Sequence, residues 1–170
     1  MYESDLILGV SGLPPESARN CRQELFPMSS GEFRKSINGN LMFLESSKRK
    51  RYGSIISCKD INSPVVDKIW VGSQIMVGCI QNLWQCIEAG GSSLKLIRPP
   101  VDKSVSVVDN FGNHVGFEIS DGDEVRVYRI YDERIFVCFR PWLNMYVMDF
   151  SIETDEWGMN GSWKIVLEEV

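Results

Sequence analysis

The single histidine of the chain, His114, is the residue around which any cysteine–histidine or serine–histidine nucleophile pair has to be built. It sits in Asn113-His114-Val115 beside a turn. Neither a nucleophile-elbow sequence nor a cysteine in a hydrolase signature accompanies it, so it reads as a polar strand-end residue. Carboxylates cluster at Asp121, Asp123 and Glu124, and again at Glu153, Asp155 and Glu156. Paired acids serve glycosidases and calcium sites, but Asp-x-Asp-Glu lacks the remaining ligands of a twelve-residue calcium loop. Asp and Gly favour turns, and both clusters read as solvated connectors. Cys21, Cys58, Cys79, Cys86 and Cys138 are odd in number and widely spaced, without a CxxC pair, and read as buried reduced thiols. One histidine and scattered cysteines do not make a transition-metal site. Glycines 9 and 12, and 90 and 91, form neither a dinucleotide fingerprint nor a P-loop. The expectation is a protein without catalytic residues, cofactor or metal.

What remains chemically distinctive is surface. Ser47-Lys48-Arg49-Lys50-Arg51, with Arg34 and Lys35 upstream, concentrates positive charge in a chain of net charge -5. That overall sign argues against a general nucleic-acid binder, because neutralising phosphates needs a net basic face. A local basic segment of this kind suits a local contact with nucleic acid, an acidic neighbour, or a soluble hairpin tip that resists edge-to-edge pairing. Trp70, Trp84, Trp142, Trp157 and Trp163, with Tyr128, Tyr131 and Tyr146, exceed what one small core needs in large side chains, and Trp157 falls in a connector. Half-covered aromatics of this sort are enriched at interfaces.

The elements that must carry these residues are strands. A chain of 170 residues, 44% hydrophobic and 24% charged, has the composition of one ordinary folded domain. The opening Met1-Tyr2-Glu3-Ser4-Asp5 places acids where a secretory signal has a basic region, and no apolar run approaches the roughly 20 residues of a membrane span. Residues 1–40 are punctuated by glycine and proline and read as an irregular arm with sparse strands at 5–10 and 22–26, and with room for a short helix over 17–24. Residues 41–44 and 52–58 read as a hairpin around the basic connector. Residues 74–87 fit both periods, and the early Gly78 favours strand over helix. Short strands follow at 94–97, 104–108 and 114–119. Asp121-Gly122-Asp123 then introduces a predicted hairpin of 124–131 with 134–139, Val125 and Val127 facing inward. A last hairpin joins 143–152 to 162–170 through 153–161, with Trp163, Ile165 and Leu167 on one face. About ten strands with little helix predict an all-β fold, an antiparallel sandwich or small barrel, as a single domain over 1–170.

Three stretches resemble structural proteins of tailed-bacteriophage virions: Phe33-Arg34-Lys35-Ser36-Ile37-Asn38-Gly39-Asn40-Leu41; Ile56-Ser57-Cys58-Lys59-Asp60 followed by Ile69-Trp70-Val71-Gly72; and Arg140-Pro141-Trp142-Leu143 through Asp155-Glu156-Trp157-Gly158 to Leu167-Glu168-Glu169-Val170. The resemblance implies a small non-enzymatic subunit of the tail, neck or capsid surface, repeated in a ring or shell, made in the host cytoplasm and partnered by its own copies and other virion proteins. Arg34, Lys35, Lys48, Arg49, Lys50, Arg51, Asp121, Asp123, Glu124 and Trp157 are the candidate subunit contacts. A specific version pairs Lys48 to Arg51 with Asp121 to Glu124 of a neighbour, as in a closed ring of head-to-tail contacts. The rival readings are a capsid-decorating subunit, a receptor- or carbohydrate-binding module and, most remote, a hydrolase using His114.

Overall fold

The structure, a computed structural model, describes residues 4–9, 12–45, 50–157 and 161–170. Among these residues there are fourteen strands and no helix, so the expected all-β fold is what forms. The strands are β1 (Ile7–Leu8), β2 (Arg22–Met28), β3 (Gly31–Lys35), β4 (Leu41–Glu45), β5 (Arg51–Asp60), β6 (Gln74–Gly78), β7 (Leu83–Ile87), β8 (Ser93–Lys95), β9 (Ser106–Val108), β10 (Phe117–Ser120), β11 (Glu124–Val127), β12 (Ile135–Phe139), β13 (Trp142–Thr154) and β14 (Gly161–Glu169).

A curled six-stranded antiparallel sheet in the order β1-β6-β13-β14-β5-β2 forms the larger part. Alternation along its strands places one set of side chains on the concave face. Trp163, Ile165 and Leu167 of β14, Leu143, Met145 and Val147 of β13, Ile56 and Cys58 of β5, and Ile75 and Val77 of β6 are buried there together. The predicted C-terminal hairpin is thus present, and the face assigned to Trp163, Ile165 and Leu167 is the buried one. The sparse strands of the first forty residues belong to the same sheet, since β1 pairs with β6 and β2 with β5, while Leu6 and Leu8 are buried in its core. Residues 17–24 turn and then extend into β2 rather than forming a helix. Pro27 is tolerated because β2 is an edge strand, where a missing N–H costs no ladder bond.

Gln23 closes the curl. Its Oε1 accepts hydrogen bonds from the backbone N–H of Ile80 at 2.7 Å and of Gln81 at 3.1 Å, and its Nε2 donates to Ser54 Oγ at 3.0 Å. One amide side chain thereby ties the β2 edge to the chain leaving β6, on the opposite side of the sheet. The indole Nε1 of Trp163 donates to the carbonyl of Ser17 at 2.7 Å, which gives this buried tryptophan the polar partner it needs.

Residues 83–139 build a second core. Two three-stranded sheets, β8-β11-β10 and β7-β12-β9, contribute Val125 and Val127 from one side and Ile87, Val107, Ile135, Val137 and Phe139 from the other. The ambiguous segment 74–87 resolves into two strands, β6 and β7, one in each unit. The predicted pairing of 124–131 with 134–139 does not form: β11 pairs with β10 and β8, whereas β12 pairs with β7 and β9. The turn at Asp121-Gly122 is real but closes the β10–β11 hairpin instead, with both residues in the left-handed region that such a tight loop requires.

The predicted hairpin of 41–44 with 52–58 is likewise replaced. β4 pairs with β3, and β5 lies between β2 and β14. The result is a two-stranded ribbon, β3–β4, carried on the end of β2 and β5. Its tip is a type I turn at Ser36 followed by Gly39 in the left-handed conformation, φ 78°, with Gly39 N–H bonded to Ser36 C=O at 2.8 Å.

Candidate functional site

The β3–β4 ribbon shows its side chains to solvent on both faces. Antiparallel register sets Phe33 opposite Phe43 and Lys35 opposite Leu41 on one face, and Glu32 opposite Leu44 and Arg34 opposite Met42 on the other. The Phe33 and Phe43 rings tilt against each other with centroids 4.9 Å apart. Even so, Phe33 is 68% exposed, Leu41 66% and Ile37, at the tip, fully exposed; Met42, Phe43 and Leu44 are exposed as well. Six large apolar side chains are thus uncovered on one two-stranded element, Phe33, Leu41 and Phe43 on one face, Met42 and Leu44 on the other, and Ile37 at the tip. An isolated two-stranded ribbon is marginal in water. Among the described residues, neither buried core cluster includes any of its apolar side chains.

The sequence-derived candidates are distributed around this ribbon. Arg34 and Lys35 lie on β3 near its tip; Arg34 pairs with Glu32 two residues away, and Lys35 is exposed with no ion pair among the described residues. Lys50 and Arg51 lie at the base, where the Lys50 carbonyl accepts from Arg98 Nη2 at 2.8 Å. Lys48 and Arg49 fall outside the described residues. Five residues of β3, at about 3.4 Å each, separate base from tip by roughly 17 Å, so the described pairs Arg34–Lys35 and Lys50–Arg51 do not form one patch. Asp121, Asp123 and Glu124 sit at the β10–β11 turn, and two of them already have cations of their own chain: Asp123 with Lys95 at 3.5 Å and Glu124 with Arg126 at 3.6 Å. Trp157 is 85% exposed in the β13–β14 connector, as its position in the sequence suggested.

A second apolar feature was not foreseen. The turn Trp70-Val71-Gly72-Ser73 has Ser73 N–H bonded to Trp70 C=O at 2.8 Å and Gly72 at φ 86°, a type II geometry that needs glycine at its third position. It is hooked onto β13 by Gly72 N–H to Val147 C=O at 2.8 Å and Val147 N–H to Ser73 C=O at 2.9 Å. There the β13–β14 register breaks between Val147 and Asp149, a bulge that leaves Met148 exposed while Val147 stays buried. Turn and bulge together bound a depression of about 330 Å³ lined by Val71, Tyr146, Met148 and Val170, with Arg51, Glu168 and Glu169 as charged residues in its wall. Trp70 stands exposed on the same turn. The signal for it in the sequence is Trp70-Val71-Gly72, apolar residues placed in a glycine turn.

The groups first considered for chemistry are dispersed. His114 is exposed, in a one-residue bridge with Val108, and makes no side-chain hydrogen bond among the described residues. All five cysteines are free thiols. Burial pushes the Cys79 thiol up to about 11, and burial together with the neighbouring Cys58 raises Cys21 further. Among the described residues no cluster of three metal-ligating side chains occurs, and no helix is long and apolar enough to cross a membrane. No protein-family description and no curated protein matches the sequence.

Proposed function

We propose that this chain is a non-enzymatic structural subunit that assembles with copies of itself through the β3–β4 ribbon. The observation that carries the reading is the ribbon's exposed apolar surface: Phe33, Ile37, Leu41, Met42, Phe43 and Leu44 project from a two-stranded element that, among the described residues, belongs to neither core. Exposed apolar area of this size on one element marks a contact surface. The resemblance of its sequence to tailed-bacteriophage virion proteins supplies the setting, a repeated subunit of the tail or head-to-tail region, and the Phe33 to Leu41 stretch that carries part of that resemblance includes the tip of the ribbon.

Light scattering coupled to size-exclusion chromatography over a range of concentrations tests the reading. The expected result is a concentration-dependent oligomer that becomes monomeric in Phe33→Asp with Phe43→Asp, at unchanged strand content by circular dichroism. A protein that stays monomeric throughout, or an oligomer indifferent to these substitutions, overturns it. Negative-stain images separate the settings, since closed rings fit a tail or head-to-tail position and trimers fit a shell-decorating one.

A further inference from the structure

We infer that the ribbon of one copy seats in the depression between the Trp70–Ser73 turn and the β13 bulge of another copy, with Lys35 on Glu168. The inference rests on the self-assembly reading and names the receiving surface. Four features support it.

The first is apolar match. One ribbon face offers Phe33, Phe43 and Leu41 in register, and the depression offers Val71, Tyr146 and Met148, with exposed Trp70 beside it. The second is charge. Lys35 shares the ribbon face with Phe33 and Phe43, because residues two apart on a strand point the same way. Neither Lys35 nor Glu168 has an ion-pair partner among the described residues, whereas the adjacent Glu169 is already held by Arg98. The depression's own cation, Arg51, has a counterpart on that same ribbon face in Glu45, at the end of the strand pair opposite Lys35. With Glu169 engaged by Arg98, an apolar patch accompanied by one cation and one further acid occurs on both surfaces, Arg51 and Glu168 on one and Lys35 and Glu45 on the other, which fixes the register of the contact as well as its location.

The third feature is that the depression is a formed element. Backbone hydrogen bonds on both sides of Val147 hold the turn against the bulge, and the Ser73 hydroxyl donates to Trp70 C=O at 2.6 Å and accepts from Trp70 N–H at 3.1 Å. Little ordering cost then falls on the receiving side. The fourth is placement: Arg51, where β5 begins below the ribbon, also lines the depression, so donor and receiver lie at one end of the sheet. Ribbon and depression are different patches, so each copy can donate to one neighbour and receive from another, the head-to-tail contact that a closed ring requires.

A charge-swap cycle on the full chain tests the seat, with association followed by analytical ultracentrifugation and folding by circular dichroism and thermal midpoint. Lys35→Glu and Glu168→Lys are each expected to weaken association by roughly tenfold or more, and the double variant to recover most of the loss, as a direct charge pair requires. Met148→Asp, which alters only the apolar wall, is expected to weaken association with no recovery by either charge variant. Folded single variants that associate like the wild type, in a protein whose oligomer is lost in Phe33→Asp with Phe43→Asp, overturn the seat and leave the self-assembly reading standing. Weakened singles without recovery in the double variant overturn the Lys35–Glu168 contact. An oligomer indifferent to the ribbon substitutions removes the reading and the seat together.

Discussion

The guanidinium of Arg98 holds the carboxylate of Glu169 in a two-point grip, Nε to Oε1 at 2.5 Å and Nη2 to Oε2 at 3.0 Å. The pair joins the chain leaving β8 to the end of β14, and so couples the two cores of the molecule. Glu169 is buried and also accepts the Tyr52 backbone N–H at 2.9 Å, while Arg98 donates to the carbonyls of Ile97 and Lys50 and lies 5.7 Å from the Tyr52 ring centroid.

Removing one member of such a pair strands the other. Glu169→Ala is expected to cost about 2–4 kcal/mol of unfolding free energy, toward the lower part of the range for broken buried pairs because Arg98 keeps some access to water. The paired change Arg98→Met with Glu169→Leu should cost less than Glu169→Ala alone. Urea denaturation of the three proteins measures both values, and equal losses in the single and double variants would refute the coupling.

Stability should also fall at low pH through Asp60. The Arg19 side chain, through hydrogen bonds of 2.7 and 3.1 Å to Oδ1, together with the backbone N–H groups of Arg19 and Ile61, holds this carboxyl at about 2. A carboxylate whose folded value lies below its unfolded value of about 3.9 contributes stability above that value, and the contribution disappears as pH drops through the folded value. The relevant window runs from about pH 4 down to pH 2. The exposed Arg19 guanidinium is screened by water and salt, so the effect should be about 1 kcal/mol. Thermal midpoints of wild type and Asp60→Asn across this window should converge as the pH falls, and parallel curves would count against the assignment.

Gln23 offers a different kind of test, because its three hydrogen bonds span the open side of the curled sheet. Gln23→Ala leaves the N–H groups of Ile80 and Gln81 without this acceptor and the buried Ser54 hydroxyl without its donor; water can reach the exposed Gln81 N–H, so the expected loss is about 1 kcal/mol, the low end for unsatisfied groups. Hydrogen exchange at Ile80 and Gln81 should accelerate more than exchange at β14. A uniform acceleration across the sheet would mean that Gln23 supports global stability without closing the curl.

The parts of the fold legible in the sequence are those in which one strand's alternation and its nearest neighbour coincide. Trp163, Ile165 and Leu167 alternate cleanly, and β14 pairs with the strand just before it, so both face and partner could be read. Val125 and Val127 were also correctly placed inward, but their partners lie at Leu94 and at Phe117 and Ile119, since adjacency along the chain does not decide which open edge a strand joins. At the ribbon, Gly31 and Pro27 look like strand breakers, yet β2 and β3 form around them, and that hid the true partner of 41–44. The candidate site was half visible. A charge such as Lys35 reads as surface from its type alone, whereas an apolar run such as Leu41-Met42-Phe43-Leu44 reads as core until tertiary structure shows it exposed.

The position of the ribbon on β2 and β5 also has a mechanical meaning. A pull on the ribbon that is directed along β2 and β5 enters the body at Met28 and Arg51, along strands rather than across them. β5 is bonded to β2 from Arg51 to Ser57 and to β14 from Gly53 to Asp60, and those ladder bonds run perpendicular to the strand axis. Such a load is shared by many hydrogen bonds in shear instead of opening them one after another. A contact made at the ribbon can therefore transmit tension into the larger core before the strands that carry it separate.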